Sequence, residues 1–100
     1  MRTILISGAS RGIGNSIAKR CFIDGHNISL GIRNSDDIQG TILDPKISGS
    51  ERINISYYDS LKNETAKNWV IESISKFKKI DTVIHCAGIF DDVGILLDNE

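Results

Sequence analysis

The stretch SGASRGIG, residues 7–14, decides the fold of this 100-residue chain. It follows the apolar run Ile4–Ile6, and apolar residues at helical spacing follow it: Ile13, Ile17, Cys21 and Phe22. A short apolar run that ends at a glycine is typical of a strand buried on both faces of a parallel sheet. The stretch therefore predicts a strand, a glycine turn and a helix whose unpaired N–H groups attract a phosphate. A tight strand-to-helix turn without a ligand is the alternative interpretation.

The rest of the chain continues this alternation of strands and helices. Three further runs have the apolar pattern of strands, namely residues 28–32, 53–57 and 82–84. One face of a longer helix is indicated by Ala66, Trp69, Val70, Ile74 and Phe77. Between residues 34 and 51, Gly40, Pro45 and Gly49 leave room for a short helix at most. The pattern predicts an α/β fold, a Rossmann-type parallel sheet with helices on both faces and the strand order 3-2-1-4.

Composition narrows the class of partner. One hundred residues make one small domain, and a net charge of -1 gives no reason to expect nucleic acid or an anionic membrane. The apolar run near the start of the sequence is too short to be the core of a signal peptide. Two cysteines without a CxxC pattern indicate reduced thiols, so we expect a cytoplasmic protein. His85 and Cys86 have no further ligands at metal-binding spacing, so no metal site is expected.

The glycine spacing is GxxxGxG, not the GxGxxG of the best-known dinucleotide fingerprint. In this it resembles the classical short-chain dehydrogenase/reductase family, whose turn reads Thr-Gly-x-x-x-Gly-Ile-Gly. Ser7 stands in place of the Thr and keeps its hydroxyl, while Gly8, Gly12, Ile13 and Gly14 match. The resemblance implies a dinucleotide cofactor at the carboxyl ends of the first and fourth strands, where the strand order reverses.

The resemblance runs on through DGHNISLGIRN, residues 24–34, and KKIDTVIHCAGI, residues 78–89. In the family the second stretch ends in Asn-Asn-Ala-Gly. Here Ala87 and Gly88 match, but His85 and Cys86 replace both asparagines. Along the two cofactor-facing stretches, the resemblance implies contacts from Gly8, Ser10, Arg11, Gly12, Ile13, Gly14, Cys86, Ala87 and Gly88.

The end of the second strand bears on the choice of cofactor. An acidic residue there would accept hydrogen bonds from the ribose 2′-OH of NAD, but this sequence has Ile32 and Arg33. An Arg can make charge-assisted hydrogen bonds to the 2′-phosphate of NADP, each worth ~1.5–3 kcal/mol. Arg11, inside the turn, lies where NADP-dependent family members also carry a basic residue. We therefore predict NADP, although either Arg alone could be a solvated surface charge.

Asp59 follows the third strand, where the family places an Asp that accepts a hydrogen bond from the adenine amino group, with Ser60 beside it. The alternative for Asp59 is a turn or helix-capping residue. The family's catalytic signature, Tyr-x-x-x-Lys, is matched by Tyr58 and Lys62. This match lies before HCAG, whereas the catalytic pair should come well after it. We therefore interpret Tyr58 and Lys62 as non-catalytic.

The family resemblance implies an NADP(H)-dependent oxidoreductase that transfers hydride between the nicotinamide and a carbonyl or alcohol substrate. Its catalytic Ser, Tyr, Lys and Asn would lie beyond residue 100. We therefore expect residues 1–100 to form an NADP-binding Rossmann domain that stops before the catalytic segment and is inactive alone. The full-length protein is expected to be a homo-oligomer. A non-catalytic NADP-binding sensor is the alternative, whereas a methyltransferase would need an acidic residue in place of Arg33.

Overall fold

The structure is a computed structural model that describes residues 1–8, 12–34, 38–48 and 51–86. Seven elements lie in these ranges. In chain order they are β1 (Thr3–Ser7), α1 (Gly12–Ile23), β2 (Asn27–Ile32), α2 (Pro45–Ser48), β3 (Ile53–Tyr57), α3 (Asn63–Phe77) and β4 (Thr82–His85).

The four strands form one parallel sheet in the order β3-β2-β1-β4. Ile4 of β1 pairs with Ile28 of β2, and Ile28 pairs with Ile53 of β3. On the other side of β1, Ser7 pairs with His85 of β4. The predicted Rossmann-type sheet and its strand order are confirmed. The chain adds β2 and β3 on one side of β1 and β4 on the other, so the switch point of the strand order lies between β1 and β4.

One face of the sheet carries the apolar core beneath α1. Fully or nearly buried isoleucines and leucines from three strands pack with Ala18 of α1. These strand residues are Ile4, Ile6, Ile28, Leu30, Ile32 and Ile53. Burying a residue of this size stabilises the fold by roughly 1.5–3 kcal/mol. The core therefore fixes α1 against β1 and β2 and, with it, the turn that leads into the helix.

The opposite face, beneath α3, is rich in hydroxyl groups. The Ser29 hydroxyl lies 2.6 Å from the Ser73 hydroxyl and accepts a hydrogen bond from the Trp69 indole N–H at 2.9 Å. Asn54 donates to Ser29 at 3.0 Å, and Ser56 donates to Glu72 of α3. Buried polar groups need such partners because an unpaired one costs about 1–3 kcal/mol. Hydrogen bonds therefore hold α3 to β2 and β3.

Because of this hydrogen-bond network, the face that α3 buries differs from the apolar face predicted from the sequence. Its buried residues are Thr65, Trp69 and Ser73, whereas Val70 is 38% exposed and Ile74 is 47% exposed. The predicted apolar face is thus only partly correct, because the sheet beneath α3 presents hydroxyl groups. Among the residues that the structure describes, no helix is long and apolar enough to span a membrane.

Candidate functional site at the carboxyl ends of the strands

Each of the three glycines of the turn that the structure describes occupies a position unfavourable for any other residue. Gly8 and Gly12 have φ values of 69° and 66°, a left-handed conformation that other residues seldom adopt. Gly14 has a different constraint, since a Cβ there would overlap the carbonyl oxygen of Gly8. The same Cβ would stand 3.1 Å from the Cβ of Cys86. The first turn of α1 therefore packs directly on the Gly8 backbone after β1 and on the Cys86 side chain after β4.

Backbone hydrogen bonds join the strand ends around this turn. The Gly8 N–H donates to the Gly31 carbonyl of β2 at 3.2 Å, and the Cys86 N–H donates to the Ser7 carbonyl at 3.1 Å. The Ser7 hydroxyl lies 3.0 Å from Nδ1 of His85. The structure thus brings Cys86 next to Gly8 and Gly14, from which it is far away in the sequence.

A cavity of ≈ 310 Å³ lies near the carboxyl ends of β2 and β3. Its lining residues are Ile32, Arg33, Ile55, Ser56 and Tyr57. Arg33 follows β2 directly and is exposed, and it forms no ion pair with any residue in the described ranges. It is open to solvent, and its volume is at the lower end of the ~300–1,000 Å³ of small-molecule sites. Arg33 therefore places an exposed basic residue at the edge of this open cavity.

Asp59 organises the loop between β3 and α3. Its Oδ1 accepts the Leu61 N–H at 2.9 Å, and its own N–H donates to the Thr65 hydroxyl at 2.9 Å. This is the turn-forming role that the sequence left open for Asp59. Its second carboxylate oxygen, Oδ2, lies 3.5 Å from the Tyr57 hydroxyl. Ser60, next to it, is exposed.

The Tyr-x-x-x-Lys match does not form a pair in the structure. The Tyr58 ring packs against Trp69 with 5.1 Å between ring centroids. Lys62 instead places its Nζ 3.4 Å from the hydroxyl of Tyr57. Tyr58 therefore belongs to the packing of α3 on the sheet.

The remaining predicted contacts divide into two groups. Ile13 is 51% exposed in the first turn of α1, so its side chain is accessible from solvent. Four predicted residues lie outside the described residues: Ser10, Arg11, Ala87 and Gly88.

Two features of this region were not predicted from the sequence. A Cβ on Gly31 would stand 2.9 Å from three atoms of the Trp69 indole, so this glycine lets the ring lie flat on β2. A glycine inside a strand is a signal of such a close approach. The contacts of Tyr57 with Lys62 and Asp59 had no comparable signal, because they depend on how the loop after β3 turns.

This sheet order, with a glycine turn after β1 and a switch point between β1 and β4, defines a Rossmann-type domain. A family model described as short chain dehydrogenase matches residues 2–99. The chain belongs to this family.

Individual relatives are consistent with that membership. The chain is 37% identical over 95 residues to agropine synthesis reductase of Rhizobium rhizogenes, covering 95% of this chain and 21% of the relative. It is 32% identical over 92 residues to a 3-oxoacyl-(acyl-carrier-protein) reductase of Staphylococcus epidermidis, covering 91% of this chain and 37% of the relative. The chain therefore spans well under half of either relative.

Solved structures share the fold. A 3-ketoacyl-(acyl-carrier-protein) reductase from Brucella melitensis complexed with NADH matches with a TM-score of 0.68 and 24% identity, covering 82% of this chain and 32% of that one. The C-domain of bacterial malonyl-CoA reductase with NADP matches with a TM-score of 0.75 and 21% identity, covering 98% of this chain and 18% of that one. One of these two complexes holds NADH and the other holds NADP.

Proposed function

We propose that this chain is the cofactor-binding part of an NADP(H)-dependent oxidoreductase. The full-length protein would reduce a carbonyl group or oxidise an alcohol of a small-molecule substrate. Family membership supports the reaction class. The observation that carries the choice of cofactor is Arg33, which stands directly after β2 where an NAD-binding site would present an acidic residue.

The glycine turn fits a pyrophosphate group. Apart from its chain neighbours and its own helix, none of the described residues has a heavy atom within 4 Å of the position where a Cβ of Gly12 would stand. Gly12 begins α1, and the N–H groups and dipole at a helix N-terminus favour an anion. In this proposal Gly8, Gly12 and Gly14 hold the pyrophosphate, with Ser10, Arg11 and Ile13 lining the same turn.

The other proposed contacts lie along the strand ends. Arg33 would bind the 2′-phosphate, and Asp59 with Ser60 would contact the adenine. Cys86, Ala87 and Gly88 would bring backbone close to the cofactor on the side of β4. The bound cofactor would supply hydride for carbonyl reduction or accept it in alcohol oxidation, and these residues would bind and orient it.

We propose that residues 1–100 alone bind the cofactor without turnover. The support is that the sequence has a single Tyr-x-x-x-Lys match and that its Tyr58 is packed against Trp69. A protein that holds residues 1–100 only should therefore bind NADPH and show no oxidation of it with carbonyl compounds. Turnover by residues 1–100 would contradict this part of the proposal.

We also propose a cytoplasmic, homo-oligomeric protein. Cys21 and Cys86 form no disulfide bond with each other, as expected in a reducing compartment. Val70, Ile71 and Ile74 leave apolar surface exposed on α3. Apolar surface of this kind supports association with another protein surface.

The test is a titration of NADPH and NADH into the unmutated protein and into Arg33→Ala. Nicotinamide fluorescence gives both dissociation constants. We expect NADPH to bind the unmutated protein at least about tenfold more tightly, and Arg33→Ala to lose most of that preference. Arg20→Ala is the matched control, because Arg20 is an exposed arginine on α1 that pairs with Asp24. Equal affinity of the unmutated protein for both cofactors would contradict the NADP assignment.

A further inference from the structure

The cavity beside Arg33 is also lined by Tyr57, a residue outside the glycine fingerprint of the family. Tyr57, the last residue of β3, lines it and is 51% exposed. Tyr57 pairs in register with Ile32, the residue before Arg33. Tyr57 and Arg33 therefore border the same space from two adjacent strand ends.

A second cation contacts the Tyr57 side chain. Lys62 places its Nζ 3.4 Å from the Tyr57 hydroxyl and 5.8 Å from the centre of the ring. The hydroxyl lies 3.5 Å from Oδ2 of Asp59. Both contacts of the hydroxyl are longer than the 2.7–3.2 Å of ordinary hydrogen bonds and therefore weak, so a phosphate can compete with them for the ammonium group.

The charge of the expected ligand calls for such a second cation. A phosphate monoester carries about -1.5 to -2 charges at pH 7, whereas one guanidinium supplies a single positive charge. Lys62 does not line the cavity itself, but its Nζ contacts the hydroxyl of Tyr57, which does. Together Arg33 and Lys62 can balance the charge of a 2′-phosphate, and the Tyr57 ring offers a surface on which adenine can stack.

We propose that Tyr57 and Lys62 are specificity-determining residues of this site, with the Tyr57 ring contacting the adenine and Lys62 acting beside Arg33 on the 2′-phosphate. The inference rests on the proposed function, since it concerns the adenosine end of NADP. It adds a stacking surface and a second cation that lie outside the glycine turn and the end of β2.

Two adenosine ligands separate these roles. Adenosine 2′,5′-bisphosphate and adenosine 5′-monophosphate differ only in the 2′-phosphate, and calorimetric titration of the purified protein gives both affinities. We expect Lys62→Gln to weaken the bisphosphate about fivefold and to leave the monophosphate unchanged. Lys67→Gln is the matched control, because Lys67 is an exposed lysine on α3, the helix that Lys62 directly precedes, and it should change neither affinity.

Substitutions of Tyr57 test the ring and the hydroxyl separately. Tyr57→Ala should weaken both ligands about tenfold, because it removes the stacking surface. Tyr57→Phe keeps the ring, so it should leave the monophosphate unchanged and weaken the bisphosphate about twofold through its effect on Lys62. Because Tyr57 is half exposed, we expect both variants to fold.

The outcomes distinguish this inference from the proposed function. If the unmutated protein prefers the bisphosphate but Lys62→Gln behaves like Lys67→Gln, the role of Lys62 is overturned while the NADP assignment stands. If Tyr57→Ala leaves the monophosphate affinity unchanged, the stacking role is overturned. If the unmutated protein binds both ligands equally, the NADP assignment fails and this inference fails with it.

Discussion

The Ser7 hydroxyl of β1 and Nδ1 of the His85 imidazole of β4 lie 3.0 Å apart, at paired positions on adjacent strands. Ser7 is fully buried and His85 is half-buried. This side-chain contact stands beside the backbone bond from the Cys86 N–H to the Ser7 carbonyl. The strand ends that border the candidate site are therefore joined twice.

A double-mutant cycle should detect the Ser7–His85 hydrogen bond. We expect Ser7→Ala and His85→Ala each to lower the free energy of unfolding, with a coupling energy of about 0.5–1.5 kcal/mol between them. Urea denaturation of the two single variants and the double variant measures this energy. Strictly additive effects would show that the contact contributes nothing to stability.

Gly14→Ala should damage both the fold and the site. The added methyl group would overlap the Gly8 carbonyl oxygen, so α1 must move away from the ends of β1 and β4. We expect a loss of about 1–3 kcal/mol in stability, typical of overpacking, and weaker binding of NADPH. Ser16→Ala, at an exposed position on α1, is the control and should stay within about 0.5 kcal/mol. An unchanged NADPH affinity in Gly14→Ala would argue against binding at this turn.

Gly31→Ala tests the packing of Trp69 on β2. The new Cβ would stand 2.9 Å from the indole ring, and both residues are buried, so the ring must shift. We expect a loss of about 1–3 kcal/mol in the free energy of unfolding. The indole fluorescence should also change, because the Trp69 N–H bonds to Ser29 in the present position. A variant with unaltered stability and fluorescence would contradict the close contact.

Acid stability should depend on Asp81. Its carboxylate accepts the Thr3 N–H at 2.7 Å and lies 3.2 Å from Nζ of Lys79, and these contacts, the first above all, lower the pKa of Asp81. A pKa lower in the folded state stabilises the fold above the unfolded-state pKa, about 3.9 for Asp, and this contribution is lost as pH falls through the folded-state pKa.

The measurement for Asp81 is the urea midpoint between pH 2 and pH 6. We expect Asp81→Asn to be less stable than the unmutated protein at pH 6 and the difference to shrink as pH falls and the Asp81 carboxylate becomes protonated. A difference that stays constant over this range would mean that the charge of Asp81 does not stabilise the fold.

The sheet could be predicted because each strand has a short apolar signal bounded by turn residues. Ile28, Leu30 and Ile32 alternate in the sequence, and all three are buried on the α1 face. The glycine turn could also be predicted, since Gly8 and Gly12 adopt a positive φ and Gly14 packs too closely for a Cβ. These features depend on local sequence together with the handedness of the crossovers.

The orientation of α3 and the surroundings of Arg33 could not be predicted in the same way. Ser73 is buried because it faces Ser29, which lies on a strand 44 residues away in the sequence. The spacing of apolar residues along α3 does not indicate this pairing. The contact of Lys62 with Tyr57 likewise depends on the turn that Asp59 forms. Side-chain networks between distant segments are properties of the folded molecule.

A crystal structure of the protein with NADPH tests the proposed binding of NADP at the glycine turn and Arg33. We expect the pyrophosphate to lie against the N–H groups at the start of α1, between Gly12 and Gly14. We also expect the 2′-phosphate to lie within hydrogen-bonding distance of the Arg33 guanidinium. A dinucleotide bound away from the carboxyl ends of β1 and β4, or a 2′-phosphate with no contact to Arg33, would contradict this binding mode.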